Sequence, residues 1–304
     1  MSTLHVLMPP LAHADADPAF HHWLARGDGL PDARNARVTA LREHFRFTGD
    51  GIPAAALRHH CHAGDAGGGN WLCADPAYVR SEATGARLMA CPASNLSGAE
   101  AEVLAATLSP LLSEVGGLRV DTSTEWCVQL ADGMQPAIFT SPDHALGASL
   151  IDVLPEGDAA RTWRRLFNEI QIALHAHPVN ATRIAARGLP VNALWFWGPG
   201  ALPDSVDTNL ATVASADDVV RGLARLAGVV RVEPLPDALE TADVRGDTLL
   251  DLQRLGERES ATEWLTTFER WLRRRRFDAI ALTFAGGERF RMRHAHRLRL
   301  WRRG

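Results

Sequence analysis

Residues 215–232, SADDVVRGLARLAGVVRV, decide the fold class. Ser215 and Asp218 have the approximate spacing of a capping box, and behind them Val219, Val220, Leu223 and Leu226 recur at helical period. Gly228 stands where a helix stop is wanted, and Val229 to Val232 reads as a strand. Upstream, Ala193 to Trp197 is apolar on both alternations, the pattern of a strand buried on two faces. Strand, helix and strand in that order make a βαβ unit, which implies a parallel sheet. The expected class is α/β, with a partly parallel sheet flanked by helices and an α+β character in the N-terminal part.

Further toward the N-terminus, the spacing predicts a helix from Asp158 to Ala176, with Trp163, Leu166, Phe167, Ile170 and Leu174 on one face and Arg161, Arg164, Arg165 and Glu169 on the other. A second helix follows Asn95, capped by Ser97 and Glu100, striped by Leu104, Leu108, Leu111 and Leu112, and stopped by Gly116-Gly117. Leu118 to Val120, Trp126 to Leu130 and Ala137 to Phe139 read as short strands. Helical signals cover Pro18 to Arg26 and Asp32 to His44. After a glycine-rich loop, Gly64 to Asn70, a strand restarts at Trp71 and runs into Asp75-Pro76.

Toward the C-terminus a helix from Ser260 to Arg274 leads into a strand, Ala279 to Phe284, and the turn Ala285-Gly286-Gly287. An alternating run follows, with Phe290, Met292, Leu298 and Leu300 on one parity and Arg289, Arg291, Arg293, Arg297 and Arg299 on the other. That pattern predicts a C-terminal β-hairpin with a basic face. Three segments result: an N-terminal α/β region at 1–90, a middle region at 91–190, and a βαβ region with the hairpin at 191–304.

With 304 residues, 46% hydrophobic and 22% charged, the composition is that of ordinary globular protein. Every basic side chain other than histidine is arginine, and residues 273–304 hold eleven arginines against Asp278 and Glu288. Since the whole chain carries −4, a basic end follows an acidic body. No stretch approaches the roughly 18 apolar residues of a membrane span, and the first residues lack the pattern of a signal peptide. A cytoplasmic protein without membrane association is expected. Cys61, Cys73, Cys91 and Cys127 are scattered without a CxxC pair, which argues against a disulfide framework and against a cysteine-rich zinc site. His59-His60-Cys61-His62 looks like a metal cluster, but adjacent residues in a loop do not converge on one ion, so neither metal nor cofactor is expected.

A series of local patterns between Ser141 and Gly200 carries a resemblance. These are Ser141-Pro142-Asp143-His144 with Gly147, Leu154-Pro155-Glu156-Gly157, His177-Pro178-Val179-Asn180 with Arg183 and Gly188, and Asn192 through Trp195, Trp197 and Gly198. Together they resemble the archaeal-type cofactor-independent phosphoglycerate mutases of the alkaline-phosphatase-like superfamily. The similarity extends from near Leu96 to near Asp251, and it makes 91–190 similar to the substrate-binding insertion of that family. The resemblance implies phosphoryl transfer by two divalent metal ions and a serine, with Asp and His ligands on loops at strand ends. Two of the implied segments are missing from their places: Met1 to Leu11 holds no Asp, and the Ala285 to Glu288 turn holds neither His nor Asp. In length, in the Trp71 to Arg80 segment and in its arginine-rich ending, the chain is also similar to the RpfE-type regulatory proteins of proteobacteria. That likeness implies regulation of pathogenicity factors through a degenerate active site.

The leading expectation is a non-catalytic regulatory protein working through a protein partner, with a small phosphorylated ligand as a second candidate. His177, Asn180, Arg183 and Asn192 are candidates for an anion pocket, against the alternative that they cap and pair. Trp195 and Trp197 are candidates for an aromatic shelf, against the alternative that they are core. The arginine face at 289–299 is a candidate for nucleic acid, against docking on an acidic surface. An enzymatic alternative, a diverged mutase or phosphohydrolase, would draw relocated ligands from Asp143, His144, His175 and His177.

Overall fold

The computed structural model describes residues 2–14, 18–49, 51–64, 67–83, 85–157, 160–235, 246–253 and 261–299. Leu300, and the expected helix starts at Asp158 and Ser260, lie outside the described residues. The strands are β1 Thr3–Met8, β2 Asp28–Leu30, β3 Trp71–Glu82, β4 Gly85–Ala90, β5 Gly116–Val120, β6 Trp126–Leu130, β7 Ala193–Gly200, β8 Thr212–Ser215, β9 Arg231–Glu233, β10 Thr248–Asp251, β11 Ala279–Phe284 and β12 Arg289–Arg293. The helices are α1 Leu11–Ala14, α2 Pro18–Ala25, α3 Ala36–His44, α4 Ala54–Ala63, α5 Gly98–Leu112, α6 Pro142–Ala145, α7 Leu150–Val153, α8 Arg161–His175, α9 Pro178–Ala185, α10 Asp218–Leu226 and α11 Ala261–Arg273. They form two units. The first comprises 1–49 with 203–304, the second 50–202.

The first unit is built on a seven-stranded sheet of order β2-β12-β11-β1-β10-β8-β9. β1 runs parallel between β10 and β11, with Leu4 opposite Thr248 on one side and Ile280 on the other. Because it is central, Leu4, Val6, Leu7 and Met8 are all buried, on both alternations. Trp264, Phe268, Trp271 and Leu272 of α11 and Phe20, Trp23 and Leu24 of α2 cover this sheet. Each such side chain taken out of water contributes about 1.5–3 kcal/mol. The sheet also explains why boundaries at 90 and 190 do not separate the chain: its middle strands come from opposite ends of the sequence.

The second unit carries a five-stranded sheet in which β3 pairs with β6 through Trp71–Cys73, with β4 through Tyr78–Glu82, and antiparallel with β7. The change from β6 to β4 spans Asp75-Pro76, where proline has no N–H to give a ladder. Leu104, Leu108 and Leu112 of α5 pack with Trp163, Leu166, Ile170 and Leu174 of α8 over Trp126, Val128, Leu194 and Phe196. The Ser97–Glu100 capping box opens α5 as expected.

The α/β class and the C-terminal hairpin are present, but several local expectations need correction. The βαβ unit is β8-α10-β9, parallel as expected, whereas β7 belongs to the other unit and runs antiparallel to β3. Periodicity marks β7 as doubly buried but does not say in which sheet. Asp217, not Ser215, caps α10: its carboxylate accepts from Val219 N at 2.8 Å. Ala137–Phe139 is not a strand, and Gly116-Gly117 begins β5. The alternating run stops being a strand at Arg293, opposite Ala279, because β11 has no earlier residue to pair with it, and His294–Leu298 winds into a 3-10 turn. His59–His62 lies on α4, not in a loop. Among the described residues no helix is long and apolar enough to cross a membrane.

Candidate functional site at the strand ends

In a parallel sheet, the loops leaving the carboxyl ends of the strands form the crevice in which ligands bind. Here β1 and β11 deliver Met8 and Phe284, both apolar, so the polar chemistry comes from β8 and β10. Ser215 ends β8 and Asp251 ends β10, and parallel register sets them side by side. Ser215 Oγ donates to Asp251 Oδ2 at 2.9 Å and accepts from Asp217 N at 2.9 Å.

Between the carboxylates of Asp217 and Asp251 stands the Arg37 guanidinium, carried by α3. Nη2 bonds Asp217 Oδ2, Nη1 lies 3.5 Å from Asp251 Oδ2, and Nη1 also donates to Gln253 Oε1. Asp217 Oδ1 caps α10, and Asp251 Oδ1 accepts from Gln253 N at 3.2 Å. Each of the four carboxylate oxygens therefore has a protein donor. Burial raises the Asp251 pKa above the usual carboxylate range; Asp217 adds to the shift, while Arg37, the Gln253 N–H and the Ser215 hydroxyl oppose it. Among the described residues, these oxygens face one organic cation, a serine hydroxyl and backbone N–H donors.

The residues singled out around 177–197 lie in the second unit, on protein partners. His177 caps α9, its Nδ1 accepting from Val179 N at 3.2 Å, while Nε2 meets Thr107 Oγ1 at 3.1 Å. Asn180 is buried and spans Leu174 O, Val191 O and Val191 N at 2.7–2.8 Å. Arg183 donates to the carbonyls of Leu189, Asn95 and Ser94 and to Glu100. Asn192 pairs with both Val79 N and Val79 O at 2.8 Å, acting as one more rung beside β3. Trp195 packs with Phe167 and Leu88, its indole N–H on Thr140 O, and Phe196 points into the opposite core. Trp197 donates to Asp75 Oδ2 at 2.8 Å, and Asp75 is in turn held by Arg58 through two 2.9 Å bonds. Among the described residues, Asp143, His144, His175 and His177 do not gather into a metal-ligand cluster.

The arginine face divides. Arg289 pairs with Glu43 at 2.6 Å and Arg299 with Asp28 at 2.7 Å, both within the first unit. Arg293 and Arg297, with Arg26, His294, Trp23 and the Arg273–Glu269 pair, line a recess of about 320 Å³. Sequence reasoning missed Arg37, Asp217 and Asp251 as a group. The signal available for them was Asp at or just beyond apolar strands: Asp217 stands two residues past β8 in the quoted stretch, and β10 ends in Leu250-Asp251.

No family model matches the chain. It is 32% identical over 108 residues to a probable 2,3-bisphosphoglycerate-independent phosphoglycerate mutase of Geobacter sulfurreducens, an overlap of 33% of this chain and 27% of that protein. The 2,3-bisphosphoglycerate-independent phosphoglycerate mutase of Methanothrix thermoacetophila is 32% identical over 127 residues, 40% of this chain and 32% of its own. That of Methanosarcina barkeri is 28% identical over 182 residues, 58% of this chain and 44% of its own. The chain spans less than half the length of these curated relatives. Among solved structures, the cofactor-independent phosphoglycerate mutase of Thermoplasma acidophilum aligns over 95% of this chain and 88% of its own, at TM-score 0.42 and 14% identity. Over the matched stretches the chain is homologous to cofactor-independent phosphoglycerate mutases.

Proposed function

We propose that this chain is a non-catalytic regulatory protein of the cytoplasm, derived from a phosphoglycerate-mutase-like fold and similar in role to the RpfE-type regulators. It acts through a protein partner and senses a small phosphorylated ligand. The observation that carries the reading is Arg37: its guanidinium occupies the two buried carboxylates, Asp217 and Asp251, at the carboxyl edge of the parallel strands, whereas metal-dependent phosphoryl transfer needs carboxylates that hold exchangeable cations. An arginine supplies charge but no Lewis-acid site and no activated oxygen. The recess lined by Arg26, Arg293 and Arg297, together with an Arg273–Glu269 pair, supports the ligand assignment, since neighbouring guanidinium groups recognise phosphate oxygens through paired N–H donors.

The homology itself favours a second reading, a diverged phosphoglycerate mutase whose ligands are drawn from other residues. One assay separates the two. Purified protein is supplied with 3-phosphoglycerate and Mn²⁺ or Zn²⁺, with and without chelator, and 2-phosphoglycerate is measured. The regulatory reading expects no turnover above the protein-free control. Turnover abolished by chelator would establish the mutase and end the regulatory proposal.

A further inference from the structure

His59 is on α4, Asp121 follows β5 directly, and Cys127 is on β6, all within the second unit. The pairing of β5 with β6 and the packing of α4 bring their donor atoms to one point. His59 Nδ1 is 2.7 Å from Asp121 Oδ1, Cys127 Sγ is 3.3 Å from Asp121 Oδ2, and Cys127 Sγ is 3.7 Å from His59 Nδ1. A nucleophile, base and acid in relay would engage the two ring nitrogens separately, one for the thiol and one for the carboxylate. Here thiol and carboxylate both face Nδ1, so no proton path runs through the ring.

Three donor side chains whose ligand atoms lie within 4.8 Å of one another are instead the arrangement of a ligand set. Bonds of about 2.3 Å to sulfur and about 2.0 Å to nitrogen or oxygen, at tetrahedral angles, place such donors roughly 3.3–3.6 Å apart. The His59–Cys127 separation of 3.7 Å lies next to that range. Asp121 turns Oδ1 to His59 and Oδ2 to Cys127 and so has either oxygen to offer, one donor atom from each of the three residues lying within 4.8 Å of the others. The imidazole is also fixed in advance, stacked on Trp71 with ring centroids 4.1 Å apart and planes 27° apart. His59 and Asp121 keep 13% and 8% of their side chains exposed, enough for an ion to enter and for a fourth position to face water.

We propose that His59, Asp121 and Cys127 bind one borderline-soft divalent cation, Zn²⁺ foremost, through three protein ligands and one open position. A thiolate and a carboxylate neutralise the dication, and the thiolate selects zinc over magnesium or calcium. In the structure Cys127 Sγ donates to Asp121 Oδ2, whereas an ion is held by the thiolate. Loading the ion therefore releases a proton, and affinity rises with pH. The site is built from residues of the second unit and the Arg37 cluster from residues of the first, with no residue in common, so it stands or falls independently of the proposed function.

The test uses the full chain, stripped with chelator, dialysed and titrated with Co²⁺ as a spectroscopic stand-in for Zn²⁺. We expect one equivalent to bind, with a thiolate-to-cobalt charge-transfer band, and one equivalent of Zn²⁺ to bleach it. Cys127→Ser should lose the band and weaken binding at least tenfold. His59→Gln should weaken it comparably, while Cys73→Ser, altering the cross-strand neighbour of Cys127, should keep the band. Should Cys127→Ser fail to fold by circular dichroism, proton release from the unmodified protein decides, with about one proton expected per Co²⁺ bound. Folded protein that shows no saturable cobalt signal overturns the proposal, as does a band retained in both Cys127→Ser and His59→Gln.

Discussion

Replacing Arg37 with alanine tests the reading of the strand-end cluster most directly. The substitution leaves Asp217 and Asp251, whose side chains are 3% and 1% exposed, without the cation between them. Breaking a buried pair by removing one partner costs about 3–5 kcal/mol. Arg37 is 23% exposed, so water replaces part of what is lost, and about 2–3 kcal/mol is the better expectation. At about 2–4 °C per kcal/mol for a body of this size, the melting temperature should fall by roughly 4–12 °C. The loss should depend on pH. Asp251 already titrates above its unfolded value, and removing Arg37 raises it further, so its contribution survives at low pH and is lost as pH rises through the folded pKa. The gap between Arg37→Ala and the unmodified protein should therefore widen as pH rises above the ordinary carboxylate value.

The variant should also become responsive to a hard cation. Mn²⁺ or Mg²⁺ at a hundred times its dissociation constant restores about 2.7 kcal/mol, close to the whole deficit, while the unmodified protein should gain nothing. Differential scanning calorimetry with and without Mn²⁺ measures both effects. A variant melting within 1 °C of the parent, or a parent stabilised by Mn²⁺ as strongly as the variant, would show that arginine does not hold a cation's place.

Three other outcomes follow from particular contacts. Burial, reinforced by His5 and Arg289, holds the His44 pKa down to about 3, so its contribution to stability is complete above pH 6.5 and is lost as pH falls toward 3. His44→Phe should flatten the acid limb of a urea-midpoint profile by up to about 1.4 kcal/mol per pH unit, and an unchanged limb would refute the assignment. Asn180→Ala leaves Leu174 O, Val191 O and Val191 N without their side-chain partner and should cost about 3 kcal/mol in urea denaturation; a loss under 0.5 kcal/mol would mean that water takes over the contacts. Gly198→Ala puts a Cβ 2.7 Å from Ala54 Cβ at a residue with φ +58°, so a loss of about 1–3 kcal/mol is expected, and a neutral variant would show that α4 yields to β7.

Much of the architecture could be read locally. The capping box of α5, the apolar stripe of α8, the stop at Gly228 and the hairpin of β11 and β12 each rest on residues within about one turn or one rung of each other, where propensity and period act. The first sheet was less legible, because its central strand β1 is six residues long and finds its partners at 248–251 and 279–284. The candidate sites were less legible still. Arg37 meets Asp217 and Asp251 across the chain, and His59 meets Asp121 and Cys127 rather than its own neighbours His60 and Cys61.

From residue order alone came the alternation of strands and helices, the caps, the basic ending and the kinship with the phosphoglycerate mutases, because each depends on side-chain type and short spacing. Folding settled which strand joined which sheet, that Asn180 and Arg183 are tied to backbone carbonyls, and that a guanidinium shares one pocket with two carboxylates. The reason is distance: charges and donor atoms act over a few ångströms, and residues more than a hundred positions apart come that close only after the chain has packed.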